Sequence, residues 1–321
     1  MSRRFRLLIA YDGSESSDAA LRDLHQAGLP KKLEAVVISF ADTFHTTGLD
    51  PKDPGQPKWL TESIRKSHAE AHENIDKAYA AALVAVKFLN KRFPHWKVRA
   101  DADADNPAWG IVKRSDSWRP DLTLLGSHRL TTLGRLLLGS VSQKVLAHVS
   151  CSVRIARNTR VKRNSHLRLV LGFDGSANAE SAVRAVSERS WPKGTVLRLV
   201  TALDSKLDTL IDVEAPIRGI NRMRDPFRDK RWLQDMMQPA VAKLRRAGLS
   251  VEPGIQSGEP IKVLLGEARR WKADSLFVGA RGLGAVKRFL MGSVSTAVAE
   301  QADCTVEVVR IRNDRKTGSA K

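Results

Sequence analysis

Two cysteines in 321 residues, Cys151 and Cys304, are too few for a disulfide framework, and neither belongs to a Cys/His cluster with zinc-ligand spacing. No apolar run approaches the ~20 residues that span a bilayer, which excludes membrane insertion through a helix. The start, Ser2-Arg3-Arg4-Phe5-Arg6-Leu7-Leu8-Ile9-Ala10, has the look of a short signal peptide. Its apolar stretch stops at Tyr11-Asp12 without a small-residue cleavage site, so it reads as a buried first strand, and a cytoplasmic protein is expected. The chain also lacks a Walker A sequence, a nucleophile elbow, and metalloprotease or kinase signatures.

Acidic residues are short too. Against 54 Lys and Arg stand 35 Asp and Glu, a formal charge of +19. Such a balance suits nucleic acid, an anionic membrane surface or small anionic ligands. The basic residues thicken at Arg157 to Arg163, Arg218 to Arg231 and Arg310 to Lys321, with no aromatics interleaved as a base-stacking platform, so solvated surface charge is the reading preferred over nucleic acid. What remains is an ordinary globular composition, 42% hydrophobic and 28% charged, long enough for two domains with cores of their own.

An internal repeat organises the chain. Arg6-Leu7-Leu8-Ile9-Ala10-Tyr11-Asp12-Gly13-Ser14 returns as Arg168-Leu169-Val170-Leu171-Gly172-Phe173-Asp174-Gly175-Ser176, and Leu138-Gly139-Ser140-Val141-Ser142 returns as Met291-Gly292-Ser293-Val294-Ser295. Asp12 and Asp174 are 162 residues apart and Gly139 and Gly292 are 153 apart, so the first copy is nine residues longer in its middle. The expected domains are 1–157 and 166–312, joined by a basic linker at 158–165 and followed by a basic tail at 313–321.

Apolar strand runs alternate with helical patterns in each copy, which predicts βαβ units. The first copy should run strand Phe5 to Tyr11, helix with Ala20, Leu21 and Leu24 on one face, strand Leu33 to Phe40, and a long helix through Ala69 to Leu89. Strand Trp96 to Ala100, a helix from about Pro107, strand Asp121 to Leu125, a helix from Ser140 and strand Ser152 to Ala156 complete it. Strands near Leu167, Val196, Leu249, Ser275 and Thr305 follow in the second copy. The fold class is therefore α/β, two tandem doubly wound five-stranded parallel sheets of Rossmann-like type. Cys151 and Cys304 each precede a last strand and read as small buried residues, not reactive thiols. Long loops follow the second strand of each copy, at Ala41 to Lys58 and Asp204 to Asp225, where either a lid or a tolerated insertion would lie.

Ligands in such sheets bind at the carboxyl edge of the strands. There the second copy has Gly279-Ala280-Arg281-Gly282, nine residues, then Gly292-Ser293-Val294. Glycines let backbone amides approach an anion, and a helix opening at Gly292-Ser293 turns its positive end toward phosphate. With this spacing, the first-strand Asp-Gly-Ser and the Cys-initiated last strand, the chain resembles the universal stress protein family in its tandem form over nearly its whole length. The resemblance implies ATP as ligand, with or without Mg²⁺. It implies that Asp174 contacts ribose, that Gly172 and the backbone at Ala202 meet adenine, and that Gly279, Gly282, Gly292, Ser293 and Val294 surround the phosphates. The corresponding first-copy residues are Asp12, Phe40, Gly126, Gly139 and Ser140.

The first copy departs from the pattern. It reads Gly126-Ser127-His128-Arg129, so Arg129 stands where the second copy has Gly282, and Asp105 stands where it has Gly258. A β-carbon at the second loop position is expected to obstruct the phosphates and to strain a left-handed backbone. The guanidinium could equally reach the phosphates itself. A weak or empty first site follows, with the nucleotide held by the second. Turn chemistry alone also accounts for Asp12 and Asp174, and His128 is a lone loop histidine. A cradle without a positioned base suits a nucleotide-responsive stress or signalling module more than a catalyst, with any ATP hydrolysis slow and incidental. Occupancy would order the loop after the second strand. The alternatives are a basic adaptor for nucleic acid or another anionic partner with a vestigial nucleotide site, and an ATP-dependent transferase or hydrolase. Unpaired last-strand edges would invite association, so the two copies are expected to pair through them. Whether chains also form a homodimer is left open by the sequence.

Overall fold

A computed structural model describes residues 4–41, 58–127, 138–157, 166–203, 230–282 and 291–311. The loops after the second strands, the linker, His128, Arg129, most of the Arg218 to Arg231 segment and the basic tail lie outside the described residues.

The first copy consists of β1 Phe5–Ala10, α1 Glu15–Asp23, β2 Leu33–Ala41, α2 Lys58–Arg92, β3 Lys97–Ala104, α3 Pro107–Trp118, β4 Leu122–Gly126, α4 Ser140–His148 and β5 Ser152–Ala156. The second follows the same order with β6 Arg168–Gly172, α5 Ala177–Ser187, β7 Val196–Leu203, α6 Lys230–Arg246, β8 Ser250–Ser257, α7 Pro260–Trp271, β9 Ser275–Gly279, α8 Ser293–Gln301 and β10 Thr305–Val309. Helix α2 starts eleven residues before the expected Ala69, since the run from Lys58 carries no glycine or proline to stop it. Strand β3 extends four residues past the expected Ala100, through Asp101-Ala102-Asp103-Ala104, because its hydrogen bonds to β2 continue to Ala41.

Within each copy all strand pairs are parallel and β1 or β6 lies centrally, so the chain reverses its winding direction there. The two sheets are not separate. They merge into one ten-stranded sheet ordered β3-β2-β1-β4-β5-β10-β9-β6-β7-β8, with β5 and β10 antiparallel. Side-chain alternation splits this seam into two faces. Val153, Ile155, Val306 and Val308 point to one side and join α3, α4, α7 and α8 in a core shared by both copies. On the opposite face the copies keep separate cores under α1–α2 and α5–α6, and buried charges stand between them.

Equivalent arginines tie the last helices across the seam. Arg157 Nη2 donates to Ala299 and Glu300 carbonyls at the end of α8, and Arg310 Nη2 donates to the Leu146 carbonyl near the end of α4. Cations there satisfy orphan carbonyls and oppose the negative end of each helix.

Candidate functional site

Each copy leaves its first strand through the same turn. Asp12 Oδ1 accepts from the Ser14 amide and Asp174 Oδ1 from the Ser176 amide, both at 3.0 Å. Gly13 and Gly175 follow at φ of 75° and 77°, a conformation that favours glycine. Ser14 and Ser176 then cap α1 and α5 by accepting from Ser17 and Ala179 amides. This is the turn role considered for the two aspartates, and it leaves Oδ2 of Asp174 for other partners.

That oxygen faces the glycine loop. A β-carbon at Gly282 would stand 2.7 Å from Asp174 Oδ2, so any other residue there makes the carboxylate turn aside from the loop. Gly282 does not take the left-handed backbone, which corrects the expected strain there: what a side chain would disturb is the position of the Asp174 carboxylate. The loop is tied to α5, whose capping Ser176 Oγ donates to the Arg281 carbonyl at 3.3 Å. It is tied to α8 through the Gly292 amide, which donates to the Ala280 carbonyl at 2.9 Å, and through Ser295 Oγ, which donates to the Gly279 carbonyl at 2.6 Å.

Gly279 has a different reason to be glycine. Its β-carbon would meet the Asn178 carbonyl carbon at 2.7 Å and the Ala179 amide nitrogen at 2.8 Å, so the first turn of α5 rests on the strand end. Gly126 repeats this in the first copy against Ser16 and Ser17. Close helix–strand packing by itself thus requires glycine at both positions. A β-carbon at Gly172 would press on Leu264 at 3.1 Å, whereas the first copy accommodates Ala10 at that position.

Gly292 precedes α8 as its N-cap and Ser293 is its first residue, exposed, with Val294 behind it. Unlike α1 and α5, α8 has no side-chain cap; nor has α4, which opens at Gly139 and the exposed Ser140. Their first-turn amides have no partner within the helix. The Asp174 carboxylate, the open edge at Gly282 and the uncapped end of α8 thus lie around one loop. This donor set fits a ribose diol and phosphate oxygens.

Ala202, placed at the end of β7, is partly buried. Its first-copy counterpart Phe40 is not an open edge: a β-carbon at Gly110 would overlap the Phe40 ring. Spacing gave no sign of this contact, although Gly110 inside a helix opposite Val263 in the other copy was a legible irregularity. Asp105, in place of Gly258, avoids the φ of 137° seen at that glycine and pairs with Lys113 at 2.6 Å. A cavity of about 360 Å³ lies beside Asp12, Ser39, Phe40, Lys77 and Ala81 in the first copy. Among the described residues, none of Gly126, Gly139 and Ser140 lines it, and Lys77 pairs with Glu73 at 2.7 Å. Among the described residues, no group of three His, Cys, Asp or Glu could hold a metal ion, and no helix is long and apolar enough to cross a membrane.

Fold and site together define a tandem α/β protein with a glycine loop at the carboxyl edge of each doubly wound half. The profile of the universal stress protein family matches residues 4–157 and again 166–310, and the chain belongs to that family. A universal stress protein of Mycolicibacterium smegmatis is 27% identical over 320 residues, 96% of this chain and 98% of its own. The crystal structure of a universal stress protein from Archaeoglobus fulgidus aligns over 95% of this chain and 98% of its own, at 20% identity and a TM-score of 0.60. One from Pseudomonas aeruginosa covers 96% and 93%, at 12% identity and 0.58.

Proposed function

We propose that the chain is an adenine-nucleotide-responsive module of this family, with ATP held at the glycine loop of the second copy. The observation that carries the reading is the approach of Gly282 to the Asp174 carboxylate beside the uncapped α8, where a single β-carbon would close the gap. Asp174 accepts from the ribose hydroxyls, Gly172 and Ala202 border the base, and amides near Gly282, Gly292, Ser293 and Val294 face the phosphates. The Ser293 hydroxyl is placed to reach a Mg²⁺ carried by those phosphates. The first copy serves as a partner domain, with Phe40 over Gly110 and Arg129 in the loop both standing against an equivalent site. The two halves pair inside one chain through β5 and β10.

Equilibrium dialysis with radiolabelled ATP tests this reading. One nucleotide per chain is expected, lost in Asp174→Ala and kept in Asp12→Ala. Equal losses in the two variants, or two equivalent nucleotides, would overturn the assignment to the second copy.

A further inference from the structure

Ile155 lies opposite Val306, Arg154 opposite Glu307 and Val153 opposite Val308. The 153-residue offset between copies maps positions 153, 154 and 155 onto 306, 307 and 308. Exchanging the copies therefore reproduces the pairing, and the pseudo-two-fold axis passes through the pair of Arg154 and Glu307. On such an axis a residue meets its own counterpart. Here the counterparts have opposite charge, and both are fully buried.

Their surroundings carry the same asymmetry. Arg154 reaches Asp23 at 2.6 Å, Glu307 at 3.3 Å and Ser275 at 3.0 Å, while Thr305 donates to Asp23 at 2.8 Å. Glu307 also takes both Nη1, at 2.9 Å, and Nη2 of Arg189. Asp23 corresponds to Ala185, and Arg189 to Ala27. Across the seam the charges thus alternate, Asp23, Arg154, Glu307, Arg189. Two first copies joined the same way would bury Arg154 against Arg154, and two second copies Glu307 against Glu307. Asp23 would still pair with its own Arg154 and Arg189 with its own Glu307, but like charges would meet at the buried axis in place of the attractive Arg154–Glu307 pair, which disfavours both pairings.

We propose that Arg154 and Glu307 form a charge code that admits only the unlike half to the seam, so that this surface joins a first copy to a second copy and rejects the like half of another chain. The inference rests on the intrachain pairing proposed above. Hydrogen exchange of the full-length chain, read in peptides covering 152–156 and 305–309, tests both. Glu307→Arg should speed exchange of both strands roughly tenfold more than the neutral Glu307→Gln. With the flanks neutralised by Asp23→Asn and Arg189→Gln, Arg154→Glu and Glu307→Arg should each open the seam. Combining them should restore protection to within about threefold of that background. Equal effects of Glu307→Gln and Glu307→Arg, or a combined reversal no better than the worse single one, would overturn the code. If the neutralised background does not fold, the first comparison decides alone. Fast exchange of β5 and β10 in the wild type would instead remove the pairing itself.

Discussion

A methyl group added at Gly279 and at Gly282, three residues apart in one loop, is expected to do two separable things. At Gly279 it would sit 2.7 and 2.8 Å from main-chain atoms of Asn178 and Ala179, neither of which can rotate away. The first turn of α5 must move off the sheet, and overpacking of this kind costs about 1–3 kcal/mol. For a protein of this size that lowers Tm by roughly 2–4 °C per kcal/mol. At Gly282 the methyl meets Asp174 Oδ2, the far end of a side chain that can turn aside. Stability should then change by less than ~0.5 kcal/mol. The carboxylate, however, leaves the place where it would bind ribose, and loss of a charge-assisted hydrogen bond is worth ~1.5–3 kcal/mol. That is a roughly 10- to 150-fold rise in the Kd for ATP. Calorimetric melting and an ATP titration on Gly279→Ala and Gly282→Ala read the two effects independently. Equal Tm losses in the two variants, or an unchanged Kd in Gly282→Ala, would refute the reasoning.

Other consequences follow from contacts in the first copy and at the cysteines. Gly110→Ala should cost about 1–3 kcal/mol by striking the Phe40 ring, and Phe40→Ala should relieve most of it, so that urea unfolding of the double variant departs from additivity by more than ~1 kcal/mol. His25 accepts from Arg92 Nε and packs on Phe93; partial burial first, and the Arg92 charge second, hold its pKa below the ordinary histidine value. The unfolded chain therefore binds the proton more readily, and stability should fall as pH drops through about 6.5, with a flatter profile in His25→Gln. Burial pushes the Cys304 thiol up to about 12 and raises Cys151, whose sulfur sits between the Ser115 and Thr123 hydroxyls. Neither should react with an aromatic disulfide reagent at about pH 8 until the chain is unfolded, when both should.

The repeat and the order of elements were legible because buried parallel strands leave apolar runs and the turn after each first strand needs its own Asp-Gly-Ser. The glycine spacing was legible as well, but not the reasons behind it. Gly279 and Gly282 look alike in sequence, yet one is demanded by a helix backbone and the other by a carboxylate from a distant turn. The left-handed backbone expected at the second loop position is absent at Gly282, because local spacing says nothing of what lies across the loop. Likewise, Arg154 inside Val153-Arg154-Ile155 and Glu307 inside Val306-Glu307-Val308 are visible as charges in apolar strands. That they face each other depends on an antiparallel register between strands 153 residues apart, which no local pattern encodes.

The central claim, that the second copy is the nucleotide site, is tested most directly by calorimetric titration of ATP with Mg²⁺ into the wild type and into Gly282→Arg, which installs the first copy's residue in the second loop. One site per chain in the wild type and none in the variant is the predicted result. Unchanged binding in Gly282→Arg, or no binding in the wild type, would contradict it.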